Sequence, residues 1–141
     1  MQIHQKYSNI YIFAGCSTIN VNLKNEVLNT CGFLNGNYQS ATQVNGKPSW
    51  KNGENAIWSV GNNWMIGYWN KLGEDDGELF APNNYGGLAD NRNVWKYSVD
   101  GRTWITPSDS NDVIISSSGG KESKNFHKNL IITVLRYFEN E

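Results

Sequence analysis

Ala56-Ile57-Trp58-Ser59-Val60-Gly61-Asn62-Asn63-Trp64-Met65-Ile66-Gly67-Tyr68-Trp69 is the stretch whose reading decides the fold. Side chains alternate across an extended chain, so Ala56, Trp58 and Val60 share one face of the first run. In the second run Trp64, Ile66 and Tyr68 share a face, with Met65 and Trp69 opposite. Gly61-Asn62 turns the chain between them. A helix is disfavoured because Gly, Asn, β-branched and aromatic residues dominate. The stretch reads as a β-hairpin.

A related unit follows about 37–40 residues on. Val94-Trp95-Lys96-Tyr97-Ser98-Val99 places Trp95, Tyr97 and Val99 on one face; Asp100-Gly101 turns the chain and Arg102-Thr103-Trp104-Ile105 returns. Two copies suggest duplication without establishing a solenoid or propeller. All six tryptophans lie between Trp50 and Trp104. The hairpins are joined by the long connection Asn70–Asn93, in which Glu78–Ala81 reads as one more short strand.

Upstream, Ile19-Asn20-Val21-Asn22-Leu23 alternates strictly, as a half-buried strand does. Lys24–Thr30 is ambiguous. Phe33–Ser40 reads as extended, and Asn45-Gly46 carries the type I′ hairpin signal. Pro48 removes a ladder donor, so the strand reaching Trp50 starts there or lies at an edge. Downstream, Asp112–Ser116 is the expected last core strand. The expected organisation is an N-terminal strand or weak targeting segment over 1–17, a Trp-rich β domain over 18–116, and a linker with an apolar tail over 117–141. The fold class expected is all-β: a small antiparallel sandwich or barrel of about seven to nine short strands.

Composition narrows the functions. An aromatic content of 13% compensates for a modest aliphatic core, since each buried aromatic removes roughly 150–250 Å² from water. A net charge of −1 without a central basic stripe argues against nucleic acid. No apolar run reaches the roughly 20 residues of a membrane helix. Ile10–Cys16 ends like a lipoprotein cleavage box, but Ser8 and Asn9 break the apolar run before Ile10, leaving it at or below the usual signal-core length, and Ile10–Ala14 reads better as a strand. Cys16 and Cys31 would pair in an oxidising compartment and stay as buried thiols elsewhere, which leaves location open.

The order Asn35-Gly36-x-Tyr38, Asn45-Gly46-x-Pro48-x-Trp50, Ile57-Trp58, Trp64-x-Ile66, Trp95-x-Tyr97 and Gly101-x-x-Trp104 resembles small Trp-rich β repeats. These occur, often in tandem, in large multidomain proteins of protists and marine invertebrates, and the likeness covers roughly residues 18–116. It implies a non-enzymatic building block and carries over no catalytic residues. The apolar stretch Leu130–Phe138 has no counterpart in that pattern.

His4 and His127 both fall in terminal segments, so nucleophilic catalysis and zinc ligation lack their usual parts. Glu74, Asp75, Asp76 and Glu78 offer hard oxygen ligands, with Asp75, Asp76 and Glu78 the candidates for calcium, although the spacing is not that of an EF-hand. A glycosidase pair would have to come from Glu54, Glu78 and Asp90. Trp58, Trp64, Trp95 and Trp104 are expected in the core, whereas Trp50 and Trp69 are expected to face outward. With Asn83, Asn84 and Tyr85 they could hold a glycan by ring stacking and amide hydrogen bonds, or a protein by its hot spots. Leu130, Ile132, Val134 and Tyr137 would serve self-association. The leading expectation is a non-catalytic module that binds a protein partner or packs with like domains. A lectin-like domain stands second, and a small hydrolase using the acidic loop is weaker.

Overall fold

In the computed structural model, residues 18–82 and 87–118 are described. Nine strands form one antiparallel sheet: β1 (Thr18–Leu23), β2 (Gly36–Ser40), β3 (Trp50–Asn52), β4 (Asn55–Val60), β5 (Asn63–Tyr68), β6 (Leu79–Ala81), β7 (Lys96–Ser98), β8 (Trp104–Ile105) and β9 (Val113–Ser118). The order is β8-β7-β6-β5-β4-β3-β2-β1-β9, a meander whose last strand returns beside its first. The sheet curls into an incomplete barrel, the all-β architecture expected.

The decisive hairpin is present. Val60 pairs with Asn63 across Gly61-Asn62, and Gly61 has φ +57°, which glycine adopts freely. Register sets two faces. Ile57 lies opposite Ile66, and Leu79 continues that row, so these side chains point into the curl; Trp58 lies opposite Met65 and points outward. Both faces of this hairpin are covered, and residues 56–59 and 64–67 are all buried. The inner core runs from Ile19 and Val21 through Tyr38 and Trp50 to Trp64, Trp95 and Tyr97. The outer cluster is Ala56, Trp58 and Met65, with Val44, Trp69, Leu72, Phe80 and Trp104 packed around it.

The outer cover is two loops. Val44 and Lys47 bridge across Asn45-Gly46, with φ +54° and +75°, the positive pair that a type I′ turn requires. Asn45 then donates to Ser59 O at 2.8 Å and to Gly73 O at 3.2 Å, tying both loops to the sheet. The second loop lies main chain against main chain on β5. Glu78 N donates to Ile66 O at 2.9 Å, and a Cβ on Gly67 would sit 2.9 Å from the Gly77 Cα. Two glycines permit that approach.

The ambiguous piece is a helix, α1 (Asn25–Cys31). Asn, Val, Thr and Cys are poor helix formers, and no side chain caps its start. Tertiary contacts hold it. Val27 and Cys31, one turn apart, are buried in the inner core. Lys24 N donates to Asp112 O at 2.9 Å, and Asn25 Nδ2 to Asp112 Oδ1 at 2.7 Å.

Two ring placements differ from expectation. Trp50 is 5% exposed and belongs to the inner core. Pro48 precedes β3 rather than marking an edge; β3 lies between β2 and β4, and pairing with Ile57 turns the Trp50 ring inward, 6.1 Å from Trp64. Trp104 is only half-buried and packs on the outer face against Phe80 at 5.1 Å. Val99 is exposed because β7 ends at Ser98 and the turn begins there. Cys31 is a buried free thiol.

Candidate functional site

One end of the curl gathers aromatic rings that are not absorbed by the core. The β3–β4 turn is Gly53-Glu54, with Gly53 at φ +58°. β5 ends at Tyr68 and passes into a 3₁₀ turn, Trp69–Lys71. Trp69 N donates to Glu54 O at 2.6 Å, which clamps that turn to the end of β5. Lys51, Gly53, Glu54, Tyr68, Trp69 and Asn70 thereby line a cleft of about 290 Å³.

Phe33 closes the arrangement from the other side. It sits in the 3₁₀ turn Gly32–Leu34 after α1, and Asn55 Nδ2 donates to its carbonyl at 2.8 Å. Its ring stacks on Tyr68 with centroids 5.1 Å apart and planes 13° from parallel. Both remain open to water, at 45% and 44% exposure. Trp69 is half-buried against the outer cluster, and Lys51 Nζ lies 4.3 Å from its ring centroid, within cation–π range.

The other expected site residues distribute as follows. Asp75 and Asp76 are exposed, and Asp76 pairs with Lys71 at 3.0 Å. That contact, followed by charge attraction to Asp76 and Glu74, raises the Lys71 pKa. Glu78 is half-buried, and burial, with a smaller push from Asp76, raises its carboxyl pKa. Among the described residues no group of three or more His, Cys, Asp or Glu side chains converges as a metal site would require. Glu54 and Asp90 line separate clefts, so they do not face one another as a glycosidase pair. Asp90 is engaged by Arg92 through Nε at 3.0 Å and Nη2 at 2.8 Å, which holds it well below the usual carboxylate range, at about 2. Cys31 is pushed up to about 11 by burial and by Glu78, leaving an unreactive thiol. Asn83, Asn84, Tyr85 and the tail residues Leu130, Ile132, Val134 and Tyr137 lie outside the described residues, as do His4, His127 and Cys16.

Of the expected ligand residues that are described, Trp69 lies at an open cleft and Trp50 does not. Sequence reasoning missed Phe33 and Lys51. Neither carries a local signal: Phe33 meets Tyr68, and Lys51 meets Trp69, only once the sheet has formed. Among the described residues no helix is long and apolar enough to cross a membrane. Comparison with protein-family models, curated proteins and solved structures gave no match.

Proposed function

We propose that the domain is a non-catalytic interaction module that engages a protein, either a distinct partner or a like domain, through the Phe33–Tyr68 stack and the adjoining cleft. The observation that carries this is the stack itself: two large rings, on a 3₁₀ turn and a strand end, are left nearly half in water. Interfaces concentrate their energy in a few aromatic anchors surrounded by a polar rim. Here Lys51, Glu54 and Asn70 supply such a rim. Against a glycan at this cleft, Trp50 is buried and Lys51 already lies over Trp69.

Two measurements test the reading. Sedimentation equilibrium reports packing with like domains, which Phe33→Ser should weaken. For a distinct partner, a photo-crosslinking amino acid is placed at position 33 and the protein is irradiated in extract of its source cells. One discrete adduct is expected, suppressed by excess unlabelled domain and absent when the same probe sits at the exposed, outward-facing Asn37. A concentration-independent monomer, together with labelling that is no different at positions 33 and 37, would refute the proposal.

A further inference from the structure

The two outer strands of the sheet differ. β8 is two residues long, and so short an edge offers little to pair with. β9 is six residues long and, among the described residues, pairs on one side alone, with β1. Its register is unbroken from Leu23 opposite Val113 to Thr18 opposite Ser118. In an antiparallel ladder alternate residues turn their N–H and C=O groups away from the partner, so the far side of β9 carries a row of main-chain donors and acceptors. Natural edges are often blunted by charge or proline, but the sequence from Val113 to Ser118 contains neither. Ile114 and Ile115 are only half-buried, although Ile115 packs on the inner core. They line a cleft of about 370 Å³ together with parts of 89–95, the segment leading into β7.

The chain beyond β9 has the composition to cover this edge. Gly119-Gly120 and a mostly polar stretch lead to Leu130–Phe138, a run dominated by the β-branched and aromatic residues that favour strands. In an extended chain Leu130, Ile132 and Val134 share one face and Ile131, Leu135 and Tyr137 the other, so both faces are rich in apolar side chains. We infer that Leu130–Phe138 of the same chain adds to the free side of β9 as a further strand and covers Ile114 and Ile115. Strand addition of this kind takes its affinity from main-chain hydrogen bonds and its specificity from alternate side chains. Eleven residues, 119–129, join the two segments. A parallel crossover needs roughly a dozen or more, so the added strand runs antiparallel to β9. The short tether also holds the segment at an effective concentration on the order of millimolar, which favours the chain's own strand over that of a second copy. This pairing is separate from the Phe33–Tyr68 surface and does not depend on it.

NMR of the full chain labelled with ¹³C and ¹⁵N tests this. Nuclear Overhauser contacts are expected between residues 113–118 and 130–138, with the two segments running in opposite directions. Every β9 amide, on both sides of the strand, should exchange with heavy water at least about a hundredfold more slowly than an unstructured amide. Adjacent residues of a strand donate to opposite sides, so one of Thr133→Pro and Val134→Pro removes a donor to β9. That variant should return alternate β9 amides to near the unstructured rate while those bonded to β1 stay protected. Asn125→Pro, in the connection, should leave the β9 rates as they are. The contacts and rates of the parent decide the matter even where a proline variant unfolds. Alternate β9 amides that exchange freely in the parent overturn the inference, as do contacts that lead to residues 1–17 instead. Contacts between chains in a mixture of labelled and unlabelled protein would assign the strand to a second copy and overturn it too. So would β9 protection that survives both Thr133→Pro and Val134→Pro.

Discussion

Gly77→Ala should destabilise the domain by about 2–3 kcal/mol, the upper half of the usual cost of overpacking. The added Cβ would stand 2.5 Å from Met65 Cγ and 2.6 Å from its Sδ. Carbon contacts settle near 3.5–4.0 Å, so something must move by about 1 Å or more. Met65 is fully buried among Ala56 and Trp58, which leaves it little room to yield. The third neighbour, at 3.0 Å, is the Ile66 carbonyl that accepts the Glu78 N–H. Relaxing away from it strains the bond that seats the loop. Met65→Ala alone should cost about 2–5 kcal/mol through the cavity it leaves. Together the two substitutions should cost less than their sum by about 1–3 kcal/mol, because the new methyl occupies space the methionine vacates. Equilibrium urea unfolding of the four proteins, followed by Trp fluorescence, measures the cycle. Additivity within about 0.5 kcal/mol would show that Gly77 is not required by contact with Met65.

Two further outcomes follow from the hydrogen bonds. Trp58 Nε1 donates to Glu74 O at 2.9 Å, whereas Trp64 Nε1 is buried without a partner among the described residues. Trp58→Phe should therefore cost about 1–3 kcal/mol more than Trp64→Phe in the same urea assay, and equal losses would contradict the assignment. Acid stability gives the second. Bonds from the Arg92 side chain, then from its backbone N–H, lower Asp90 from 3.8 to about 2; the Ser108 backbone N–H is the leading cause of a lowered Glu26, whose ordinary value is 4.5. A folded pKa below the unfolded one gives stability that is complete above the unfolded value and fades as pH falls through the folded one. Asp90→Asn should thus flatten the fall in stability between pH 3.8 and about 2, and Glu26→Gln should flatten the fall that begins below 4.5. Unfolding midpoints for Asp90→Asn that track the parent over that range would dismiss the Asp90–Arg92 contribution.

Most strands were legible because their signal is local. Alternation in Ile19–Leu23 and the turn residues Asn45-Gly46 and Gly61-Asn62 act within a few positions, and the chain folds there as they direct. α1 was not legible, because what holds it is Asp112, far along the chain, and the inner core beneath Val27 and Cys31. The burial of Trp50 is not legible locally, since a proline beside a strand can mean either an edge or a start, and only the neighbouring strands decide. Tyr68 follows the inward parity of Trp64 and Ile66, yet it stays in water because β5 ends with it. Both clefts join residues far apart in sequence, so their lining could not be read from any single window.

The return of β9 to the side of β1 also has a consequence in time. Thr18 pairs with Ser118, so a hundred residues must be made before β1 acquires its second neighbour. Contacts of such long span form slowly, whereas β4–β5, joined by a two-residue turn, can assemble as soon as it is synthesised. During translation β1 therefore waits with one edge unpaired, and exposed edges of this kind recruit other chains. Residues 113–118 cover that edge of β1, and a chain truncated before them should aggregate even though its central hairpin is intact.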